Sequence, residues 1–273
     1  MINIKSDVER LKNLSTIPVV MKRILETVGN ERKGHYDLGR IIEHDQSLAE
    51  KVVAMANSPY FGHAGLINNI EQAILLLGFD LVKSLAISMS VFKIFSKTEI
   101  QRVKKLWAHS YRVAIASSLL CDKIPVTTAG VCFLSGLLHD IGRVVFLSLY
   151  PDIYKPIMFE SDLLEKESTL FGIGHPEVSG MFLENTLIPD EIIISVRFHH
   201  HIKECTKHKG VATTVYLSEG IVSRFENNNV ADGRWDNEME ETLYSSGLSL
   251  EDIAFVEDVL NEEGDSIMKF FEL

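Results

Sequence analysis

The sequence predicts an all-α protein on three observations. Apolar residues recur at helical spacing in one segment after another. Capping residues stand before those segments, and Gly or Pro stands after them. No run has the apolar–polar alternation of a half-buried strand, and no internal repeat is visible.

The elements follow in chain order. Ser6-Asp7-Val8-Glu9 has a capping-box pattern and opens a short amphipathic helix. Pro18 suits the first turn of the next helix and Gly29 its C-terminal stop. Segments 37–44 and 46–57 follow, the second with Leu48, Val52, Val53 and Met55-Ala56 at helical spacing, until Asn57-Ser58-Pro59 breaks it. Ile70 to Leu77 is a helix closed by Gly78, and Leu81 to Phe95 is apolar enough to be a core helix. The polar stretch Ser96-Lys97-Thr98-Glu99 marks a domain boundary. A long helix over about 99–122 carries Trp107, His109 and Tyr111; Trp107 and Tyr111, at i and i+4, read as core packing. Pro125 begins a loop, and a helix runs through Val131 to Leu138. Further helices are expected over 141–149, 152–167, 175–185, 190–201 and 211–225. Residues 226–248 read as a polar loop, and Ser249-Leu250-Glu251-Asp252 caps a C-terminal helix with Leu250, Ile253, Val256 and Leu260 on one face. The domains expected are 1–97, 98–225, and a polar loop with an acidic helix over 226–273.

Composition narrows the function classes. The 273 residues, 46% hydrophobic and 24% charged, suit one large globular domain or two smaller ones. No apolar run is read as approaching the ~20 residues of a membrane span, and the N-terminus has no secretion-signal pattern. Cys121, Cys132 and Cys205 lack paired spacing and fit reduced thiols, so a cytoplasmic location is expected. The net charge of −11 is uneven: residues 237–273 hold eleven Asp/Glu and one Lys, a net of −10, which leaves −1 for the rest. A near-neutral body with an acidic tail argues against nucleic-acid binding, which needs a basic face. The tail reads as a solvated helix face.

The chemistry concentrates at His139-Asp140, inside the apolar segment Gly136-Leu137-Leu138-His139-Asp140-Ile141-Gly142-Arg143. A buried imidazole beside a buried carboxylate is costly unless something satisfies both, and a divalent metal does so. A mixed His/Asp/Glu set suits Fe, Mn, Zn or Ni better than Ca. Adjacent helix residues point about 100° apart, so both side chains reach one ion only at a helix end or kink, and Gly142 allows one. Isolated histidines such as His44, His63 and His208 read as hydrogen-bonded core residues.

Read together, the segments resemble the HD superfamily of metal-dependent phosphohydrolases, and more closely its HDOD branch. The first half carries Ile17-Pro18-Val19-Val20, His44-Asp45-Gln46-Ser47-Leu48-Ala49, Ala56-Asn57-Ser58-Pro59-Tyr60-Phe61-Gly62 and Ile70 to Gly78. The second adds Gly136 to Arg143, Glu167, Phe171 to Gly180, and Val196-Arg197-Phe198-His199-His200. The resemblance spans roughly residues 6–225. It implies an N-terminal helical subdomain followed by an HD-like helical domain, in proteins usually regarded as regulatory. The implied metal ligands are His109, His139, Asp140, His175, His199, His200 and Glu219, for one or two ions; His201 is a bystander.

Three departures qualify this. His201-Ile202-Lys203-Glu204-Cys205-Thr206 replaces the acidic, GYP-bearing stretch of the branch that cleaves cyclic dinucleotides. Lys105 stands where some relatives have Glu, and Glu219 where Asp is usual. Two readings remain: a regulatory module that engages a signalling protein, with the cluster a metal site or a relic network of hydrogen bonds, or a phosphohydrolase acting on a nucleotide or phosphoester. In the second, Asp140 and Arg143 are the catalytic candidates and a phosphate-bearing small ligand is the substrate class. Arg143 equally suits an ion pair with Glu167 or another acid.

Overall fold

The structure is a computed structural model that describes residues 2–14, 19–26, 31–63, 65–92, 103–124, 127–184, 186, 188–226 and 235–264. Among them there is no strand, and the all-α expectation holds. Helices α1 (Ile4–Leu14), α2 (Val19–Glu26), α3 (Glu31–Glu43), α4 (Gln46–Ala56), α5 (Ile70–Leu77) and α6 (Phe79–Phe92) form the first half. The second half holds α7 (Lys104–Cys121), α8 (Ala129–Leu138), α9 (Ile141–Leu149), α10 (Pro151–Tyr154), α11 (Leu163–Phe171), α12 (His175–Leu183), α13 (Asp190–Phe198) and α14 (Lys209–Phe225). Helices α15 (Asn237–Ser245) and α16 (Leu250–Glu263) close the described chain.

Helices α7 and α8 make the tightest pair, and α14 and α13 pack on them. Gly136 permits this closeness, because a Cβ there would lie 2.7 Å from the Val113 carbonyl oxygen. Helix α6 packs on α8, and α1 reaches across to α9 and α12, so the hydrophobic core runs continuously from Ile4 to Leu260. Its apolar burial, at roughly 25 cal/mol per Å² removed from water, is the main force on the fold.

The turn after α4 is where three parts of the chain meet. Asn57 bonds the Ile67 backbone at both ends, through its Nδ2 (2.6 Å) and its Oδ1 (3.0 Å). The Tyr111 hydroxyl of α7 donates to Ser58 Oγ at 2.9 Å. The Tyr60 amide donates to Glu263 of α16 at 2.8 Å.

Several elements differ from expectation. Helix α1 begins before Ser6, because Asn3 accepts from the Ser6 amide (3.2 Å) and caps it a turn earlier. The helix expected over 152–167 is two: α10 stops after Tyr154, since Pro156 cannot continue it, and α11 starts at Leu163. The supposed loop 226–248 contains α15, whose N-cap Asp236 accepts from the Met239 amide at 2.9 Å. The capping box of Ser249 and Asp252 forms as read, but Leu250 is 52% exposed, and buried Glu263 extends the stripe of Ile253, Val256 and Leu260. Ala129–Leu149 is long and apolar enough to cross a membrane, contrary to the reading above; 94% of its most apolar window is buried inside the fold, which accounts for its composition. Pro18, Gly29, Pro125, residues 93–95 and the boundary at 96–99 lie outside the described residues.

Candidate metal centre

The His139-Asp140 pair sits at a break between α8 and α9, as the spacing requires. Asp140 has φ −96° and ψ 12°, outside helical geometry. Ser179 of α12 splints the break: its hydroxyl accepts from the Gly142 amide (2.8 Å) and donates to the His139 carbonyl (2.9 Å). Gly142 lets α12 come this near, because a Cβ would fall 2.1 Å from the His175 carbonyl oxygen. His175 and Ser179 are i and i+4 on one face of α12, so the residue that splints the break travels with a candidate ligand.

The remaining residues arrive from separate helices. His109 projects from α7, His199 and His200 stand at the end of α13, and Glu219 comes from α14. His109, His139, Asp140, His175, His199 and Glu219 are buried to within 1%, and His200 is half-buried. His109 Nε2 lies 2.8 Å from Glu219 Oε2, and His139 Nε2 is 3.2 Å from the same oxygen. Asp140 faces both ways: Oδ2 is 3.5 Å from His139 Nε2, and Oδ1 is 3.2 Å from His175 Nε2 and 3.8 Å from His199 Nε2. The donors fall into two adjoining groups, His109/His139/Asp140 and His175/His199/His200, each spanning no more than 4.8 Å.

The outer ring nitrogens are anchored. His139 Nδ1 and His199 Nδ1 donate to the carbonyl oxygens of Gly136 (2.7 Å) and Val196 (2.6 Å). A carbonyl only accepts, so both rings carry the proton on Nδ1 and turn Nε2 inward. His175 Nδ1 meets Glu167 Oε2 at 2.9 Å, and Glu167 also accepts from the His175 amide (2.7 Å) and the Tyr154 hydroxyl (2.6 Å). His109 Nδ1 meets Glu226 Oε2 at 2.9 Å, and Arg112 donates to the other oxygen of Glu226 at 2.7 Å.

The inner atoms are left over. His139 Nε2, His199 Nε2, Asp140 Oδ1 and Glu219 Oε1 are buried without a hydrogen bond. Buried polar atoms in that state are costly and rare; a cation among them satisfies several at once. Charge points the same way. Among the described residues, the fixed cations paired with Asp140, Glu167, Glu219 and Glu226 are Arg112 and Arg143. With every imidazole neutral, as ligation requires, that leaves −2, which one divalent cation cancels. The residues present therefore fit a divalent transition metal.

Titration directions follow the geometry. Burial lowers the His109 pKa, but Glu219 and Glu226 outweigh it and hold the ring well above its ordinary 6.5. Burial, then His200, His139 and His175, push His199 well below 6.5, which keeps it neutral. Burial opposes ionisation of Asp140, yet Arg143 and His139 hold its carboxyl well below the usual range; His109 does the same for Glu219.

Other residues fall as follows. Arg143 is fully buried, and the acid it pairs with is Asp140: it donates to Asp140 Oδ2 at 2.8 Å and to the Met158 carbonyl. Lys105 is exposed, so its charge points away from the cluster, and His201 is exposed too. His44 and His208 are exposed and His63 is half-buried, so none is the core histidine expected. Trp107 and Tyr111 are core residues. Sequence reasoning missed Ser179, Arg112 and Glu226. The i,i+7 spacing of Glu219 in α14 and Glu226 at its C-cap was the available signal.

The family model for the HDOD domain matches residues 14–202, more than half of the sequence. The chain belongs to the HDOD domain family. Solved structures share the fold of this HDOD protein. One is an HDOD domain protein of unknown function from Geobacter sulfurreducens (20% identity, TM-score 0.68, covering 98% of this chain and 96% of that one). Another, from Shewanella amazonensis SB2B and provisionally named a phosphohydrolase, has 19% identity and a TM-score of 0.78 over 97% and 98% of the two chains. A third, from Marinobacter aquaeolei VT8 and provisionally named a signal transduction protein, has 23% identity and a TM-score of 0.74, covering 94% of this chain and 58% of that one. An uncharacterized protein of Treponema pallidum (strain Nichols) is 24% identical over 217 residues; the HDOD protein matches it over 76% of its own length and 42% of that relative's. Glu219 and Glu226 lie beyond the span matched by the family model.

Proposed function

We propose that this HDOD protein is a cytoplasmic regulatory module that engages a signalling protein, and that its His/Asp/Glu cluster holds one or two divalent transition-metal ions (Fe, Mn, Zn or Ni) as part of the fold. The ligands are His109, His139, Asp140, His175, His199, His200 and Glu219. The observation that carries this reading is closure. Six of the seven donors are buried to within 1%, and Arg143, the cation nearest Asp140, is tied to Asp140 and the Met158 carbonyl rather than turned outward. A phosphoester needs an open coordination position and a reachable cation. An ion in this setting supplies folding free energy and rigidity. The resemblance of the fold to a protein provisionally named for signal transduction supports the regulatory context.

A second reading is a metal-dependent phosphohydrolase acting on a nucleotide or other phosphoester. The two donor groups joined by Asp140, with half-buried His200 at their edge, favour it. When bound, the metal would supply an acidified water and polarise a phosphoryl oxygen. Asp140 would then orient, and Arg143 would have to leave Met158 to meet the phosphate.

One comparison separates these readings. Untagged protein, purified without chelator, and His139→Ala are analysed for metal content and then screened against phosphoesters. The regulatory reading expects near-stoichiometric metal in the native chain, its loss in the variant, and no turnover. Metal-dependent hydrolysis, abolished by His139→Ala, establishes the enzyme instead. No uptake on reconstitution removes the metal from both readings.

A further inference from the structure

We propose that Glu226, held by Arg112, is a positioning residue for the metal centre. It acts through His109 and never touches the ion. This rests on the metal reading above and extends it to a residue outside the expected ligand set.

The four imidazoles with defined outer contacts are anchored in two ways. His139 and His199 turn Nδ1 back onto carbonyls three residues earlier in their own helices. His175 and His109 turn Nδ1 onto carboxylates from other parts of the chain. Glu167, the anchor of His175, is completely buried and has further donors in the His175 amide and Tyr154. Glu226 is nearer solvent, with its side chain 8% exposed, and shares its charge with the Arg112 guanidinium at 2.7 Å.

The arrangement is specific. Glu219 and Glu226 are two turns apart on one face of α14 and its C-cap, so the two carboxylates bracket the His109 ring at its two nitrogens. His109 and Arg112 are i and i+3 on α7, which brings ring and guanidinium to the two oxygens of a single carboxylate. Acceptance of Nδ1–H by a carboxylate fixes the tautomer that offers Nε2 inward and makes that nitrogen a better donor. Arg112 fixes the carboxylate in turn.

The test uses the full chain and Co²⁺ alone. Wild type, Glu226→Ala, Glu226→Gln and Arg112→Ala are compared for Co²⁺ affinity by chelator competition, and for stability of the metal-free protein. Loss of an outer partner of a metal-bound His costs about 10- to 100-fold in affinity, and Glu226→Ala is expected to lose that much. Glu226→Gln keeps an oxygen that accepts Nδ1–H and is expected to recover most of the affinity, with Arg112→Ala in between. In the Co²⁺-loaded wild type the His109 Nδ1–H proton is expected to give a hyperfine-shifted, slowly exchanging NMR signal. It is expected to persist in Glu226→Gln and vanish in Glu226→Ala.

Unchanged affinity in Glu226→Ala, with only metal-free stability lost, overturns the assignment and leaves a structural ion pair. Glu226→Gln as weak as Glu226→Ala also overturns it, because charge rather than orientation would then be the cause. Wild type that binds no Co²⁺ overturns the metal reading, and this assignment with it.

Discussion

The helices before residue 93 and those from α7 to α14 are built on different chemistry. In the first set the core is Ile24, Leu38, Ile42, Leu48, Val52, Ile70 and their neighbours, and among the described residues none of its carboxylates or amines is fully buried. In the second, the same kind of apolar packing surrounds His109, His139, Asp140, Arg143, Glu167, His175, His199 and Glu219, all buried. Apolar packing works in any solution that keeps the chain in water. A buried polar cluster works only while each atom has its partner. The second half should therefore respond to metal, pH and single-atom changes that the first half ignores.

The largest effect should come from the closest approach. Gly142→Ala drives a methyl into the His175 carbonyl oxygen and breaks the Ser179 splint, at a cost of about 4 kcal/mol or more, in the range of gross core conflicts. Urea unfolding measures it, and a loss below about 1 kcal/mol would mean that α12 can retreat freely. Next come two variants of similar cost and different character. Leu48→Ala in α4 leaves a cavity worth about 3 kcal/mol. Glu167→Ala strands the His175 amide and the Tyr154 hydroxyl, also for about 3 kcal/mol. Repeating both melts with metal and with chelator should change the Glu167→Ala penalty and leave that of Leu48→Ala alone; equal responses would erase the contrast between the halves.

A smaller effect separates the halves by pH. In metal-free protein, His109 keeps a proton that the unfolded chain releases above about pH 6.5, so its contribution fades as pH rises toward the folded value. His199 refuses a proton that the unfolded chain accepts below about pH 6.5, so stability also falls on the acid side. Asp140 and Glu219 add a further loss below about pH 4, where the unfolded chain takes up protons that they resist. Stability of the metal-free protein should peak near pH 6.5, and a flat profile of urea midpoints from pH 5 to 8 would contradict these charges. The smallest effect is at the surface: Lys203→Ala removes an exposed pair with Glu238 and should leave the urea midpoint unmoved.

Helices that announce themselves by local caps and apolar spacing were legible in the sequence. Ile70–Leu77 with its Gly78 stop, and the break at Asn57-Ser58-Pro59, needed nothing beyond neighbouring residues. Pro156 was visible too, yet apolar spacing on both sides of it suggested one helix where the ring enforces two. At the cluster, histidines and an aspartate stand out because such residues are rare in apolar segments. Ser179, Arg112 and Glu226 did not, because serine, arginine and glutamate are ordinary on helices. Their roles depend on partners 37, 114 and 117 residues away. For Arg143 an acid partner was legible and proves to be Asp140, but its second partner, the Met158 carbonyl, belongs to the backbone, which no side-chain pattern reveals.

The separation of those partners has a consequence in time. His109 and Glu219 are 110 residues apart, and the other donors are spread between them on three further helices and turns. Loops of that length close late, after local helices have formed. The full set of inward nitrogens and oxygens is therefore complete only once α14 has docked and brought in Glu219. Completion of the cluster is then a record that the chain from α7 to α14 has finished folding, and a chain halted earlier holds only fragments of it.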